Sequence, residues 1–304
     1  MKWRKLGLTY APSGELWWAR SYATIPTAEV LDDERIRVYF ASLDENRFGR
    51  IGYVDLDAND PTRVLNETRE PILDIGELGT FDDSGVNPSC IISVDGKKYL
   101  YYIGWQRCER VPYMLFTGLA ISEYPSLFKR YSRVPVLDRT VHEPFSRSAP
   151  FVLYDEKFYR VWYWSCENWS DENGSIHYNN VIRYTESADG IHWKNPGHIC
   201  ITPDWKKDYA VGRPWVVFDE KIFKMWYSIR SMGKVSYRIG YAESIDGLTW
   251  IRKDQESGIA LSDSGWDSEM ICYPCVVDVK GKRYMFYNGN RHGLTGFGCA
   301  VLDS

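Results

Sequence analysis

Three acids in this 304-residue sequence, Asp83, Glu143 and Glu269, lie five to seven residues ahead of prolines that open apolar stretches at Pro88, Pro150 and Pro274. Two arginines accompany them, Arg147 three residues before Pro150 and Arg213 directly before Pro214. Carboxylates from separate loops that meet in space can divide proton transfer between them, one holding a proton while its neighbour stays charged. Arginines beside such a pair supply fixed donors for an anionic group. On this reading Glu143, Asp83 and Glu269 belong to one asymmetric ligand site. Trp18, Ser21, Asn87, Trp105, Arg147, Arg213 and Asp267 are the ligand contacts around them.

For those loops to meet, the chain has to return to one place repeatedly, and its repeats make it do so. Prolines at 26, 88, 150, 214 and 274 follow one another at intervals of 62, 62, 64 and 60 residues. Thirteen residues after each stands a tyrosine: Tyr39, Tyr101, Tyr163, Tyr227 and Tyr287. A fixed period of this length marks a repeat architecture. Each copy reads as short strands parted by turn signals such as Asp95-Gly96, Asp189-Gly190, Asp246-Gly247 and Gly281-Lys282, and no window carries a helical stripe. Four antiparallel strands per period predict an all-β fold, a single-domain five-bladed β-propeller over 1–304. The last copy is one strand short before Ser304, so Trp3 to Leu8 is expected to complete blade five and close the ring.

In a propeller the loops entering the first strands crowd one mouth of the central channel. Counting back from each proline, position −5 reads Ser21, Asp83, Phe145, Tyr209, Glu269; position −7 reads Ala19, Phe81, Glu143, Lys207, Asp267; and position −1 reads Ile25, Asn87, Ala149, Arg213, Tyr273. Packing positions should look alike in every copy, as the tyrosines do. Loops that converge yet differ are what one asymmetric ligand requires. Taken singly, Asp82 and Asp267 read as solvated loop carboxylates or turn caps, and the recurrent tyrosines as packing between blades.

The formal charge of −4 and the absence of a basic run among the aromatics argue against nucleic acid. No stretch approaches the roughly 18 apolar residues of a membrane span, and the N-terminus shows no cleavable leader, so the reading is cytoplasmic. The seven cysteines are expected as buried free thiols. His142, His177, His192, His198 and His292 are scattered, which predicts no zinc and leaves room only for a hard cation such as calcium on the axis. Aromatic residues make up 15% of the chain, with 13 Trp and 22 Tyr; taken singly each ring reads as core, and together they suit a surface that stacks sugars or other flat ligands.

Aromatic second strands, the Ser-x-Asp-Gly-x-x-Trp turns at Ser187 to Trp193 and Ser244 to Trp250, and acidic blade-entry loops together resemble the five-bladed propeller glycosidases, the superfamily of glycoside hydrolase families 32, 43, 62, 68 and 130. The resemblance implies a sugar pocket on the axis. It also implies Glu143 as general acid and Asp83 as the blade-two carboxylate that orients substrate and raises the acid's pKa. One protonated and one ionised carboxylate suffice for glycosidic cleavage. The family's blade-one Asp has no counterpart in Trp17 to Pro26, so Glu269 would stand in for it.

That departure leaves room for a phosphorylase, with phosphate on Arg147 and Arg213, or for a transferase acting on an activated sugar in surface-glycan assembly. Two further readings are a non-catalytic glycan-binding propeller, in which Trp18 and Trp105 stack a small saccharide, and an interaction scaffold. Convergence of Asp83, Glu143 and Glu269 to within about 5–10 Å would favour a carbohydrate-active enzyme over the binding and scaffold readings.

Overall fold

The computed structural model describes residues 1–122, 127–172, 174–233 and 236–303. After strand β1 (Trp3–Tyr10) the chain runs through antiparallel meanders. The first holds β2 (Ser21–Val30), β3 (Arg35–Leu43), β4 (Gly49–Asp57) and the short β5 (Val64–Glu67). The second holds β6 (Gly85–Val94), β7 (Lys97–Arg107), β8 (Tyr113–Ser122) and β9 (Lys129–Arg130). The third holds β10 (Arg147–Tyr154), β11 (Tyr159–Glu172), β12 (Ser175–Ser187) and β13 (His198–Ile201). The fourth holds β14 (Asp208–Asp219), β15 (Ile222–Ser231), β16 (Tyr237–Ser244) and β17 (Ile251–Arg252). The last holds β18 (Cys272–Val279), β19 (Lys282–Asn288) and β20 (Phe297–Leu302), and its fourth strand is β1, paired antiparallel with β20 from Trp3 opposite Leu302 to Tyr10 opposite Phe297. Single parallel pairings, Gly49 with Gly85, Phe116 with Arg147 and Asn180 with Ala210, join the first four meanders into one sixteen-stranded sheet. No helix of the described residues is long and apolar enough to cross a membrane.

Turn chemistry fixes the strand ends. Asp95 and Gly96 both take positive φ (49° and 75°), the two-residue reversal whose twist matches the strands it joins. The reversal expected at Gly281-Lys282 falls one residue earlier, with positive φ at Lys280 and Gly281. In the Ser-x-Asp-Gly turns the carboxylate caps the bend: Asp246 Oδ1 accepts from the Leu248 and Thr249 N–H groups at 2.8 Å each, and Asp189 repeats the pattern with Ile191 and His192. The glycine carbonyls then take a hydrogen bond from the preceding meander, Gly190 from the Tyr101 hydroxyl at 3.0 Å and Gly247 from Trp162 Nε1 at 2.8 Å.

Hydrogen bonds from Thr249 N–H, Leu248 N–H and Ser244 hold the Asp246 carboxyl down at about 2 from its ordinary 3.8. A depressed carboxyl stabilises above its unfolded value and stops doing so as pH falls through its folded one. Asp246→Ala should therefore lower the melting temperature at pH 7 by on the order of 1–3 °C. Thermal melts of the two proteins should converge between about pH 4 and pH 2; a gap unchanged over that range would refute the capping role.

The recurrent tyrosines are core latches. All five are fully buried, and their hydroxyls donate to Glu29 (Tyr39), the Gly190 carbonyl (Tyr101), Glu143 (Tyr163), Asp254 (Tyr227) and Asp267 (Tyr287). Tryptophans of the second strands pack onto the next meander: Trp162 lies 5.9 Å from Phe223, and Trp226 lies edge-on to Trp3 at 5.8 Å.

Candidate functional site

The first strands β2, β6, β10, β14 and β18 are each broken by a register shift around the repeated proline. Ahead of four of those prolines the backbone takes positive φ: Ile25 56°, Ala149 49°, Arg213 52° and Tyr273 57°. Left-handed backbone is uncommon outside glycine and more so for β-branched isoleucine, and a residue before proline normally prefers extended φ. Bulges of this kind re-aim side chains and gather at functional sites. These four residues and Asn87, all at position −1, line one central cavity of about 270 Å³.

Aromatic side chains from the second and third strands contribute to its wall: Trp105 from β7, Trp164 from β11, Tyr113 from β8, Tyr178 from β12 and Tyr237 from β16. Trp164 lies so close to the β14 backbone that a Cβ on Gly212 would come within 2.3 Å of its ring. Tyr178 and Tyr237 share a hydrogen bond at 2.9 Å, and the Arg230 guanidinium sits 4.5 Å over the Tyr178 ring. Burial pushes the Tyr237 and Tyr273 phenols well above their ordinary value, so both are neutral O–H groups at physiological pH.

Arg213 reaches the cavity at 2% exposure. Its Nη2 donates to Thr27 Oγ1 at 3.0 Å, and its guanidinium lies 5.2 Å over the Trp215 ring, while Nε and Nη1 have no partner. Burial pushes this guanidinium down to about 10, which still leaves it charged at neutral pH.

Of the expected reacting and ligand-contact residues, Asn87, Trp105 and Arg213 line this cavity, and the others lie elsewhere. Glu143 is 2% exposed and caged: it accepts from the Tyr163 hydroxyl at 2.8 Å, Ser165 Oγ at 3.0 Å and the Gly197 N–H at 3.0 Å, and pairs with Arg147 at 3.2 Å and Arg183 at 3.7 Å. Arg147 is buried with it and donates to the Asp138 carbonyl. Asp267 is bound to Lys5 at 2.7 Å and to the Tyr287 hydroxyl. Asp83 accepts from Gly79 N–H and Ser84 within its own loop, and Glu269 is exposed on the surface. Trp18 is fully buried against Phe40 with Nε1 on the Arg69 carbonyl, and Ser21 only opens β2.

The acids therefore follow a rule that fixed offsets concealed. Asp82 and Asp208 stand six residues before their prolines, Glu143 and Asp267 seven. All four are buried, and each meets a cation: Arg130, Arg238, Arg147 and Lys5 respectively. They are one structural anchor repeated, shifted because two entry loops are a residue shorter. Asp82, expected as a solvated or capping carboxylate, is one of these anchors. Trp164, Tyr113, Tyr178, Tyr237 and Arg230 carry no common offset; the one available signal was the tyrosines in the early third strands β8, β12 and β16.

No group of three or more His, Cys, Asp or Glu side chains among the described residues is arranged to hold a metal ion. A hard cation placed in this cavity would meet the charge of Arg213. Five of the seven free cysteines are buried, while Cys108 is exposed and Cys200 half-buried.

No protein-family model matches the chain. It is 41% identical over all 304 residues, covering 100% of both chains, to the Mycobacterium tuberculosis H37Rv protein named "Uncharacterized protein Rv1502", and equally to "Uncharacterized protein MT1551" of strain CDC 1551. Among solved structures it resembles one named "Glycoside hydrolase" (TM-score 0.77, 16% identity, 99% of this chain and 92% of that one) and "Crystal structure of a thermostable family-43 glycoside hydrolase" (0.69, 19%, 92% and 89%). A third is "The GH130 family of mannoside phosphorylases contains glycoside hydrolases that target beta-1,2 mannosidic linkages in Candida mannan" (0.73, 14%, 99% and 93%). At such identities the likeness establishes the fold: the β-propeller-like architecture of the glycoside hydrolases.

Proposed function

Because the chain belongs to the family of the mycobacterial protein Rv1502 and has a glycoside-hydrolase propeller-like fold, we propose that it is a carbohydrate-recognition protein holding a saccharide in the central cavity. The meanders are read as five blades around that cavity. Contacts passing between successive first strands support this, including Ser89 Oγ to the Pro150 carbonyl (2.7 Å), Trp215 Nε1 to the Val276 carbonyl (2.6 Å) and Ala28 N–H to Cys275 Sγ (3.0 Å).

The observation that carries the functional reading is the composition of the cavity wall. Trp105 and Trp164 offer flat faces for a sugar ring, Asn87, Ser228 and the tyrosine hydroxyls offer hydrogen bonds for its edges, and no Asp or Glu lines the cavity among the described residues. Glycosidic cleavage by two carboxylates needs both beside the scissile bond. With Glu143 caged, Asp83 bonded within its loop and Glu269 on the surface, binding without hydrolysis is the function this geometry supports best.

Titration of a saccharide panel, followed by tryptophan emission and calorimetry, tests it. Trp105→Ala should weaken the best ligand about tenfold, the worth of one aromatic face. Turnover of aryl glycosides above background that vanishes in a folded Glu143→Gln protein would refute the binding reading in favour of hydrolysis.

A further inference from the structure

Four arginines are buried among the described residues: Arg37, Arg50, Arg147 and Arg213. The first three meet a carboxylate, Asp55 at 2.7 Å, Asp44 at 2.6 Å and Glu143 at 3.2 Å. Arg213 has no such partner among the described residues, although a buried charge is retained at little cost only when it is paired and hydrogen-bonded. Its nearest ionisable neighbours do not supply the missing charge. Burial raises the Cys90 thiol to about 11 and the Cys275 thiol to about 12, so both are neutral at physiological pH. Arg230, the second cation of the wall, rests on the Tyr178 and Tyr209 rings, again with no carboxylate partner among the described residues. A chain of net charge −4 thus gathers two positive and no negative side chains around one cavity. The backbone at Arg213, with φ 52°, shares the pre-proline bulge that places Ile25, Ala149 and Tyr273 in the same wall.

We infer that the ligand of the central cavity carries an oxyanion, a carboxylate or phosphate borne on the saccharide, which pairs with the buried guanidinium of Arg213 at the cavity wall while the tryptophans face the sugar ring. This rests on the saccharide reading above and narrows it to acidic sugars. The apolar part of the wall (Ile25, Ile103, Leu115, Ala149) excludes water around the contact, which strengthens a charge-assisted hydrogen bond.

Calorimetry on the full chain with matched gluco, galacto and manno series tests the inference: methyl hexosides, hexuronates, hexose 1-phosphates, and inorganic phosphate alone. The expected result is that one anionic series binds about 10–100-fold tighter than its neutral counterpart. Arg213→Met should remove that advantage, and Arg213→Lys, which keeps the charge but loses the guanidinium, should retain part of it. Because the replaced charge is unpaired, the ligand-free Arg213→Met protein should melt at or above the wild-type temperature, whereas a purely structural arginine would lower it. Preference for uronates identifies a carboxylate ligand and preference for hexose 1-phosphates a phosphate ligand; either supports the inference. Inorganic phosphate binding as tightly as the hexose phosphates would keep the anion site and sink the saccharide reading. Neutral hexosides binding as tightly as anionic ones, unchanged in Arg213→Met, would overturn the inference and leave the saccharide reading standing. Failure of every anion to bind at about 10 mM, or a lowered Arg213→Met melting temperature with anion affinity intact, also overturns it.

Discussion

Glu143→Gln should unfold roughly 5–8 °C below the wild-type protein, a loss of about 3–5 kcal/mol, because the substitution leaves Arg147 buried with its charge uncompensated. The cage leaves little room for accommodation. Tyr163, Ser165 and the Gly197 N–H all donate to the carboxylate, and a Gln amide nitrogen would turn a donor toward at least one of them. Adding Arg147→Met should recover part of the loss, since a buried pair replaced by apolar side chains is often nearly neutral in stability. Chemical and thermal unfolding of the two variants and wild type decide the matter. A Glu143→Gln protein that melts like wild type would show the pair contributes little, and lost turnover in it would return Glu143 to a catalytic role.

Removal of residues 1–10 should have a larger effect and abolish cooperative folding. Among the described residues, strand β1 is the only antiparallel partner of the outer edge of β20; its Lys5 is the cation of buried Asp267, and Trp3 and Tyr10 are 5% and 8% exposed within the core. Burying two such rings contributes on the order of 8–12 kcal/mol as an upper bound, against a net stability of about 5–15 kcal/mol for a whole domain. Exposing the β20 edge would also invite aggregation. A peptide of residues 1–12 added in trans should restore part of the native near-ultraviolet signal. If the truncated chain is monomeric and melts within a few degrees of wild type, β1 is dispensable and the tie it makes between the two ends is ornamental.

The sequence by itself determined the period, the strands and the turns, because each is written in local chemistry. Proline breaks a strand wherever it stands, Asp-Gly reverses a hairpin through its own φ preferences and side-chain cap, and a tyrosine thirteen residues on repeats because each copy buries the same site. Even the one-strand deficit of the last copy pointed to Trp3–Leu8, since an unpaired edge needs a partner. Where loop side chains point was left to the tertiary structure. One residue more or less in an entry loop moves Asp82 and Asp208 out of register with Glu143 and Asp267, so four copies of one buried anchor read as scattered acids. Trp18 turns into the core for the same reason: an irregular loop has no period to say which face is inside. The cavity is likewise a product of convergence, five pre-proline residues far apart in the chain aimed at one point by backbone bulges. Whether Arg213 faces a carboxylate there depends on what four other strands bring opposite it, a relation between distant segments that no single stretch of the chain contains.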